Sequence, residues 1–246
     1  MADHPPAPRR TSLAALAALI AIAAGGCTAT GDTDTGEAGA PSQGPTASSS
    51  ASTAPSDAAP ATIPASAFLE IPANMRSSDR TPAEGSEAVP ELCDGELAAG
   101  TGAVASAAMR TTYKQPQDPA ESVPHGVLFQ TIRSYGGDSA AAFMDRLEDR
   151  LADCKSYRGS ESTVQVKTAP LKGDADEALT IDLVRPQLDL PGNPVEGEQT
   201  NRIVVMRFGA VVTILYDSEY ERSSSVPAIV DTFVSGASKA IQDWRG

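Results

Sequence analysis

The sequence predicts an α+β domain: an antiparallel sheet covered on one face by two amphipathic helices and stapled by one disulfide. Three observations point there. Short Val/Ile-rich runs separated by glycine turns recur through the C-terminal half, as hairpin-linked strands do. Two stretches, near 139–154 and 224–244, repeat apolar residues at helical spacing. Of three cysteines, one falls in an N-terminal signal, which leaves Cys93 and Cys154 as a pair. Strands joined by hairpins make an antiparallel sheet, and two amphipathic helices must bury their stripes against its apolar face.

The chain opens with an export signal. Arg9 and Arg10 form a basic n-region, and Leu13 to Ala24 is an unbroken apolar run, too short for a stable membrane span. It ends in Ala24-Gly25-Gly26-Cys27. Small residues before a cysteine suit cleavage by the lipoprotein peptidase, which makes Cys27 the lipidated N-terminus. Ala24 stands where such signals usually have Leu. Two other readings remain: an ordinary cleavage site at Ala21-Ile22-Ala23, and retention of the segment as an anchor. The Arg9-Arg10 pair resembles a twin-arginine signal, but Ser12 occupies the place of the preferred aromatic.

Residues 27–61 read as a disordered Ser/Thr/Ala/Pro tether. No large apolar residue occurs from Thr28 to Ala61, so nothing there offsets the entropy of ordering it. Its coil dimension, on the order of 30 Å, would hold a domain clear of a membrane. From Thr62 the composition changes, and Ile63, Phe68, Leu69, Ile71 and Met75 begin a domain that runs over residues 62–246.

Within the domain, Val127–Tyr135 is a strand that Gly136-Gly137 stops; Asp138 or Ser139 then caps a helix. Phe143, Met144, Leu147, Leu151 and Cys154 form its stripe. Thr163–Lys167 is a short strand, and Ala178–Val184 alternates Leu179, Ile181 and Leu183 with Thr180 and Asp182. Asn201–Phe208 and Val211–Tyr216 form a hairpin about Gly209-Ala210, with Gly at the first turn position. A last helix spans 224–244, with Pro227 in its first turn and a stripe of Val226, Val230, Phe233, Ala237, Ile241 and Trp244. The N-terminal part of the domain adds a strand and a short helix.

Charge narrows the function. The formal net charge is −13, and signal cleavage would remove Asp3, Arg9 and Arg10 and leave the chain one unit more acidic. That argues against nucleic acid and against a polybasic grip on lipid. Fourteen Arg against five Lys, with abundant Ala, Gly and Pro, is the bias of GC-rich coding. Outside the cytoplasm, Cys93 and Cys154 default to a disulfide.

No catalytic constellation assembles from the residue pattern. One histidine, His125, follows Cys27; it sits between Pro124 and Gly126 at a strand entrance and reads as a loop-edge residue. No serine lies in a Gly-x-Ser-x-Gly elbow and no glycine loop cradles phosphate. Asp138 would repel an anion from the Gly136-Gly137 turn. Asp174, Asp176 and Glu177 lack calcium-loop spacing and read as a solvated hairpin turn. Hence no cofactor and no metal are expected. The segment Arg185–Thr200, rich in Pro and Gly, reads as a long loop, either a lid with Leu188, Leu190 and Val195 facing a ligand or partner, or a surface loop tucking them onto the sheet edge.

These pieces together resemble a known family. A lipobox and Ser/Thr/Pro tether lead to a cysteine; a strand-Gly-helix unit, Ser139 to Cys154, ends in a second; a Val-rich hairpin, Arg202 to Leu215, precedes a closing helix. This looks like the PknH-like extracellular sensor domain of actinobacteria, over roughly Ile63 to Gly246. The mycobacterial lipoproteins with a PsbP-like fold are a second resemblance. The family's helix commonly has an aromatic just before its cysteine, where this chain has Leu151-Ala-Asp, and the further cysteine pair of some relatives is absent. Either resemblance implies a binding domain with no catalytic residues to carry over. The expected partners are a membrane, through lipid on Cys27, and a small molecule, glycan or protein of the envelope. A scaffolding lipoprotein is the alternative, and an envelope hydrolase a more remote one. Intact mass of the membrane-extracted protein is expected to show an acylated chain starting at Cys27; an unmodified chain in the medium would contradict this.

Overall fold

The computed structural model describes residues 59–246 apart from positions 91, 96, 98 and 99. Cys27 and the segments 1–26 and 27–58 lie outside the described residues. The strands are β1 (Thr81–Pro82), β2 (Ala103–Tyr113), β3 (Gly126–Tyr135), β4 (Ser156–Arg158), β5 (Thr163–Pro170), β6 (Glu177–Leu188), β7 (Pro194–Phe208) and β8 (Val211–Glu219). The helices are α1 (Gly85–Ala88), α2 (Ser139–Asp153) and α3 (Pro227–Arg245). All eight strands join one antiparallel sheet in the order β1-β2-β3-β8-β7-β6-β5-β4.

The sheet is covered on both faces, not on one as the pattern suggested. On the first face, Phe143, Met144, Leu147 and Leu151 of α2 pack with Phe129, Ile181, Ile203, Val205 and Ile214. On the second, Val230, Phe233, Ala237 and Ile241 of α3 pack with Leu128, Ile132, Val204, Met206 and Leu215. The reason lies in the central strands. Ile203–Met206 and Val211–Leu215 carry apolar residues at both parities, apart from Thr213, so each face of β7 and β8 needs a cover. Strand β6 has a covered face and a more polar one, and there the alternation of Leu179, Ile181 and Leu183 with Thr180 and Asp182 is clean.

Strand β3, helix α2, the β7–β8 hairpin and helix α3 fall where the sequence places them. Gly209 turns the hairpin at φ 55°, with Phe208 opposite Val211. The N-terminal part supplies more than a strand and short helix. Strand β2 is eleven residues long and so rich in Ala that neither β-propensity nor alternation marks it. Segments 67–75 and 88–97 add Phe68, Leu69 and Met75 to the second core and Val89, Leu92 and Leu97 to the first.

Arg185–Thr200 is not a loop. Strands β6 and β7 extend through it, Pro186 opposite Glu198 and Leu188 opposite Pro194, with a register shift between Pro186 and Leu188. Only Asp189–Asn193 turns. Gly192 takes φ 96°, and the Asp189 carboxylate accepts from the Asn193 backbone N–H at 2.7 Å. Pairing of β6 with β5 stops at Val184, and that of β7 with β8 begins at Arg202. Beyond those points the hairpin is an arm free of neighbouring strands, where proline is tolerated.

Cys93 and Cys154 are bonded, with Cα atoms 5.8 Å apart and 61 positions apart in sequence. The bond ties the segment before β2 to the C-terminus of α2. Closing such a loop constrains the unfolded chain by on the order of 4 kcal/mol in the chain-entropy account. Alkylation of the unfolded, unreduced protein is expected to label neither Cys93 nor Cys154, and reduction should lower its melting temperature. Two reactive thiols before reduction would contradict the bond.

Candidate functional site

At one end of the first sheet face, beyond the cover of α2, a cleft of about 820 Å³ opens. Its floor is sheet: Leu183 and Arg185 of β6, Val164 of β5 and Tyr216 of β8. The period of two explains why these converge, since Arg185 follows Leu183, and Tyr216 follows Ile214, onto the same face. One wall is the β4–β5 hairpin, with Tyr157, Arg158 and Gly159–Ser162. The other is the short segment holding Pro90, Cys93 and Gly95, which passes through left-handed backbone at Cys93 (φ 49°) and Gly95 (φ 88°). The disulfide links the walls: Cys93 lies in one, and Cys154 stands two residues before the strand that carries Tyr157.

Arg185 and Glu161 of the cleft are held firmly. The Arg185 Nε donates to Gln199 Oε1 at 3.1 Å, and its Nη2 to Asn201 Oδ1 at 2.6 Å and to Glu219 Oε1 at 3.0 Å. Gln199 Nε2 donates to the other Glu219 oxygen. Glu161 is gripped by both terminal nitrogens of Arg222, at 2.5 and 3.0 Å, and this holds its carboxyl below the usual carboxylate range. Burial pushes the Tyr157 and Tyr216 hydroxyls up, with Arg185 opposing, so both phenols stay protonated at neutral pH. The Tyr216 ring stacks on Phe129, centroids 6.0 Å apart. The site can therefore bind through fixed donors and aromatic rings above an apolar floor.

Of the sequence-derived candidates, Cys93 lines the cleft, Cys154 is bonded to it from outside the lining, and Leu188, Leu190 and Val195 do not reach it. Leu188 ends β6; Leu190, at the hairpin tip, is 67% exposed and Val195 46% exposed. The base of the same arm does contribute. Arg185, Pro186, Gly197 and Glu198 face the β4–β5 hairpin across an adjoining cavity of about 570 Å³. Asp176 and Glu177 are taken up by Arg207 at 3.3 and 2.8 Å, and Asp176 also accepts from the Gly209 backbone N–H. Among the described residues no group of His, Cys, Asp and Glu could hold a metal ion.

His125 is bound into the fold. Its Nδ1 accepts from Gln115 at 3.2 Å, which leaves the proton on Nε2 to donate to the Ser224 carbonyl at 3.0 Å. Beside it the Tyr113 hydroxyl donates to Asp217 Oδ1 at 2.6 Å. Gly126 is required here, because a Cβ would meet the Tyr113 ring at 2.6 Å. Asp217 is 2% exposed and its Oδ2 has no hydrogen-bond partner among the described residues. Burial raises its carboxyl above the usual range, against the opposing hydrogen bond from Tyr113 and the charge of Arg202.

Fold and site together define an α+β domain with an open cleft lined by tyrosine and arginine. No known protein family matches the chain, and no curated protein matches it. Among solved structures it is distantly similar to the extracellular domain of PknH from Mycobacterium tuberculosis. The likeness has 16% identity and a TM-score of 0.42, covering 68% of this chain and 84% of that one.

The buried carboxyl generates a prediction. A folded-state value raised above the unfolded one contributes stability below the unfolded value and loses it as pH rises through the folded value. Asp217→Asn is therefore expected to match or exceed the native melting temperature at pH 7, and to lose that advantage as pH falls below about 4. A loss of stability at pH 7 that disappears below about pH 4 would instead show that the ionised carboxylate is the stabilising form.

Proposed function

We propose that this chain is a lipid-anchored extracellular protein on the outer face of the cytoplasmic membrane, whose domain binds a small envelope-derived molecule in the cleft, without catalysing its conversion. The observation that carries the reading is the convergence of Tyr157, Tyr216 and Arg185 on a cavity of about 820 Å³ floored by Leu183 and Val164. That volume lies within the range of small-molecule sites, and a few fixed polar groups over apolar walls is their usual make-up. The Cys27 signal supplies the address and residues 28–61 the reach. Binding without turnover is favoured because His125 is committed to Gln115 and Ser224, Glu161 to Arg222 and Glu219 to Arg185. A protein-docking role has one observation of its own: the apolar tip at Leu190 and Val195.

Titration of the purified protein with a lysozyme digest of peptidoglycan, followed by amide chemical shifts, tests the reading. Shifts should centre on the cleft lining and vanish in Ser160→Trp and Ser162→Trp, which fill the cleft from its rim. Shifts that survive both substitutions, or that gather at the 189–195 tip, would refute the cleft as the site.

A further inference from the structure

We propose that the cleft selects ligands carrying a carboxylate, an inference that rests on the ligand-binding reading above. The case is a count of committed and uncommitted groups. Glu161, the carboxylate among the described residues that line the cleft, is already occupied, and so is Glu219 beside Arg185, while Glu198 lines only the adjoining cavity. Glu161 has both oxygens on Arg222, and Glu219 has one on Arg185 and the other on Gln199. The donors are not. Arg158 lines both adjoining cavities, is exposed, and makes no side-chain hydrogen bond or ion pair among the described residues. Arg185 spends Nε and Nη2 on Gln199, Asn201 and Glu219, while its Nη1 has no partner among the described residues. The Tyr157 hydroxyl also has none among the described residues, and Tyr216 adds a second phenol with Ser218 beside it.

Among the described residues that line the cleft, two arginines, Arg158 and Arg185, face one glutamate, Glu161, in a chain whose overall charge is −13. Among those described lining residues, the unused charged hydrogen-bonding capacity is donor capacity. A carboxylate complements that directly, since guanidinium and phenol donors converge on acceptor oxygens and charge-assisted bonds are the strong ones. The neutral Leu183 and Val164 floor leaves the rest of the ligand room for an apolar or ring face. Two envelope sources present this chemistry: a sugar acid and the C-terminal carboxylate of a short peptide.

The test uses the full chain purified in detergent and two matched pairs of probes. D-glucuronate is set against D-glucose, and N-acetyl-D-alanine against its amide, each followed by amide chemical shifts into the millimolar range. At least one acid should saturate, with its neutral twin weaker by about tenfold or more. The acid that saturates identifies the source. Arg158→Gln and Tyr157→Phe should each weaken that acid by about tenfold and leave the melting temperature unchanged, and added salt should weaken it further. Equal binding of acid and neutral twin would overturn carboxylate selection while leaving a ligand-binding cleft. Saturation that both variants leave intact would overturn the residues assigned. Failure of both acids to saturate would overturn the proposal, and the peptidoglycan-digest titration would then decide separately whether the cleft binds anything.

Discussion

The pairing of β3 with β8 is the constraint on which the rest of this structure depends. It runs without a break from Gly126 opposite Glu219 to Ser134 opposite Val211, and it joins a sheet half built before residue 136 to one built after 155. Both cores rest on it. Phe129, Val212 and Ile214 face α2, while Leu128, Ile132, Val211 and Leu215 face α3. A slip of one residue would exchange these sets and put Gln130 into the wrong core. In place, Gln130 fixes the register with buried bonds: its Nε2 donates to Thr213 at 3.1 Å and its Oε1 accepts from the Leu69 backbone at 2.8 Å. The bond to Leu69 also seats the segment from Ala67 to Met75 on the second face.

The cleft is a consequence of where that seam leaves α2. The helix crosses the first face from the end of β3 towards β4 at the far edge of the sheet, and the end of the face near Arg185 and Tyr216 stays open. What borders the opening is short: a three-residue strand, a tight hairpin and a segment that passes through left-handed backbone at Cys93 and Gly95. Such elements have little core of their own. The Cys93–Cys154 bond supplies the missing rigidity by tying one border to the helix end from which the other departs. The arginine–carboxylate pairs do the same for the polar groups, since Arg185 and Glu161 are each fixed by partners within 3.1 Å.

How much of this was legible in the sequence follows from which signals are local. Strand β3, helix α2, the Gly209 turn and helix α3 announce themselves by period, by glycine and by Pro227, and the structure has all four. The side on which each helix packs was also written, in the two-parity apolar runs of β7 and β8, but it reads as ordinary strand hydrophobicity until one asks what covers the second face. Strand β2 was hidden because alanine marks neither a core nor a strand, and its place depends on β3 beside it. The prolines of 185–200 suggested a loop because their permission to sit in strands comes from an arm without neighbours, a tertiary fact. The cleft was the least visible part. The cysteine pair pointed near it, and alternation from Ile214 and Leu183 could have nominated Tyr216 and Arg185. Nothing local marks Tyr157 or Arg158, which reach the cleft only because a disulfide and a three-residue strand fold them over the sheet.

Native-state hydrogen exchange, run before and after reduction of Cys93–Cys154, tests this account most directly. The β3–β8 amides, among them Ile132 and Ile214, should exchange only through global unfolding in both states. Reduction should speed exchange selectively at Val89, Leu92 and Tyr157, the borders of the cleft. If Ile132 and Ile214 instead exchange as fast as the edge strand β5, the seam is not the centre of the structure. If the cleft borders keep their protection after reduction, the disulfide does not hold the site.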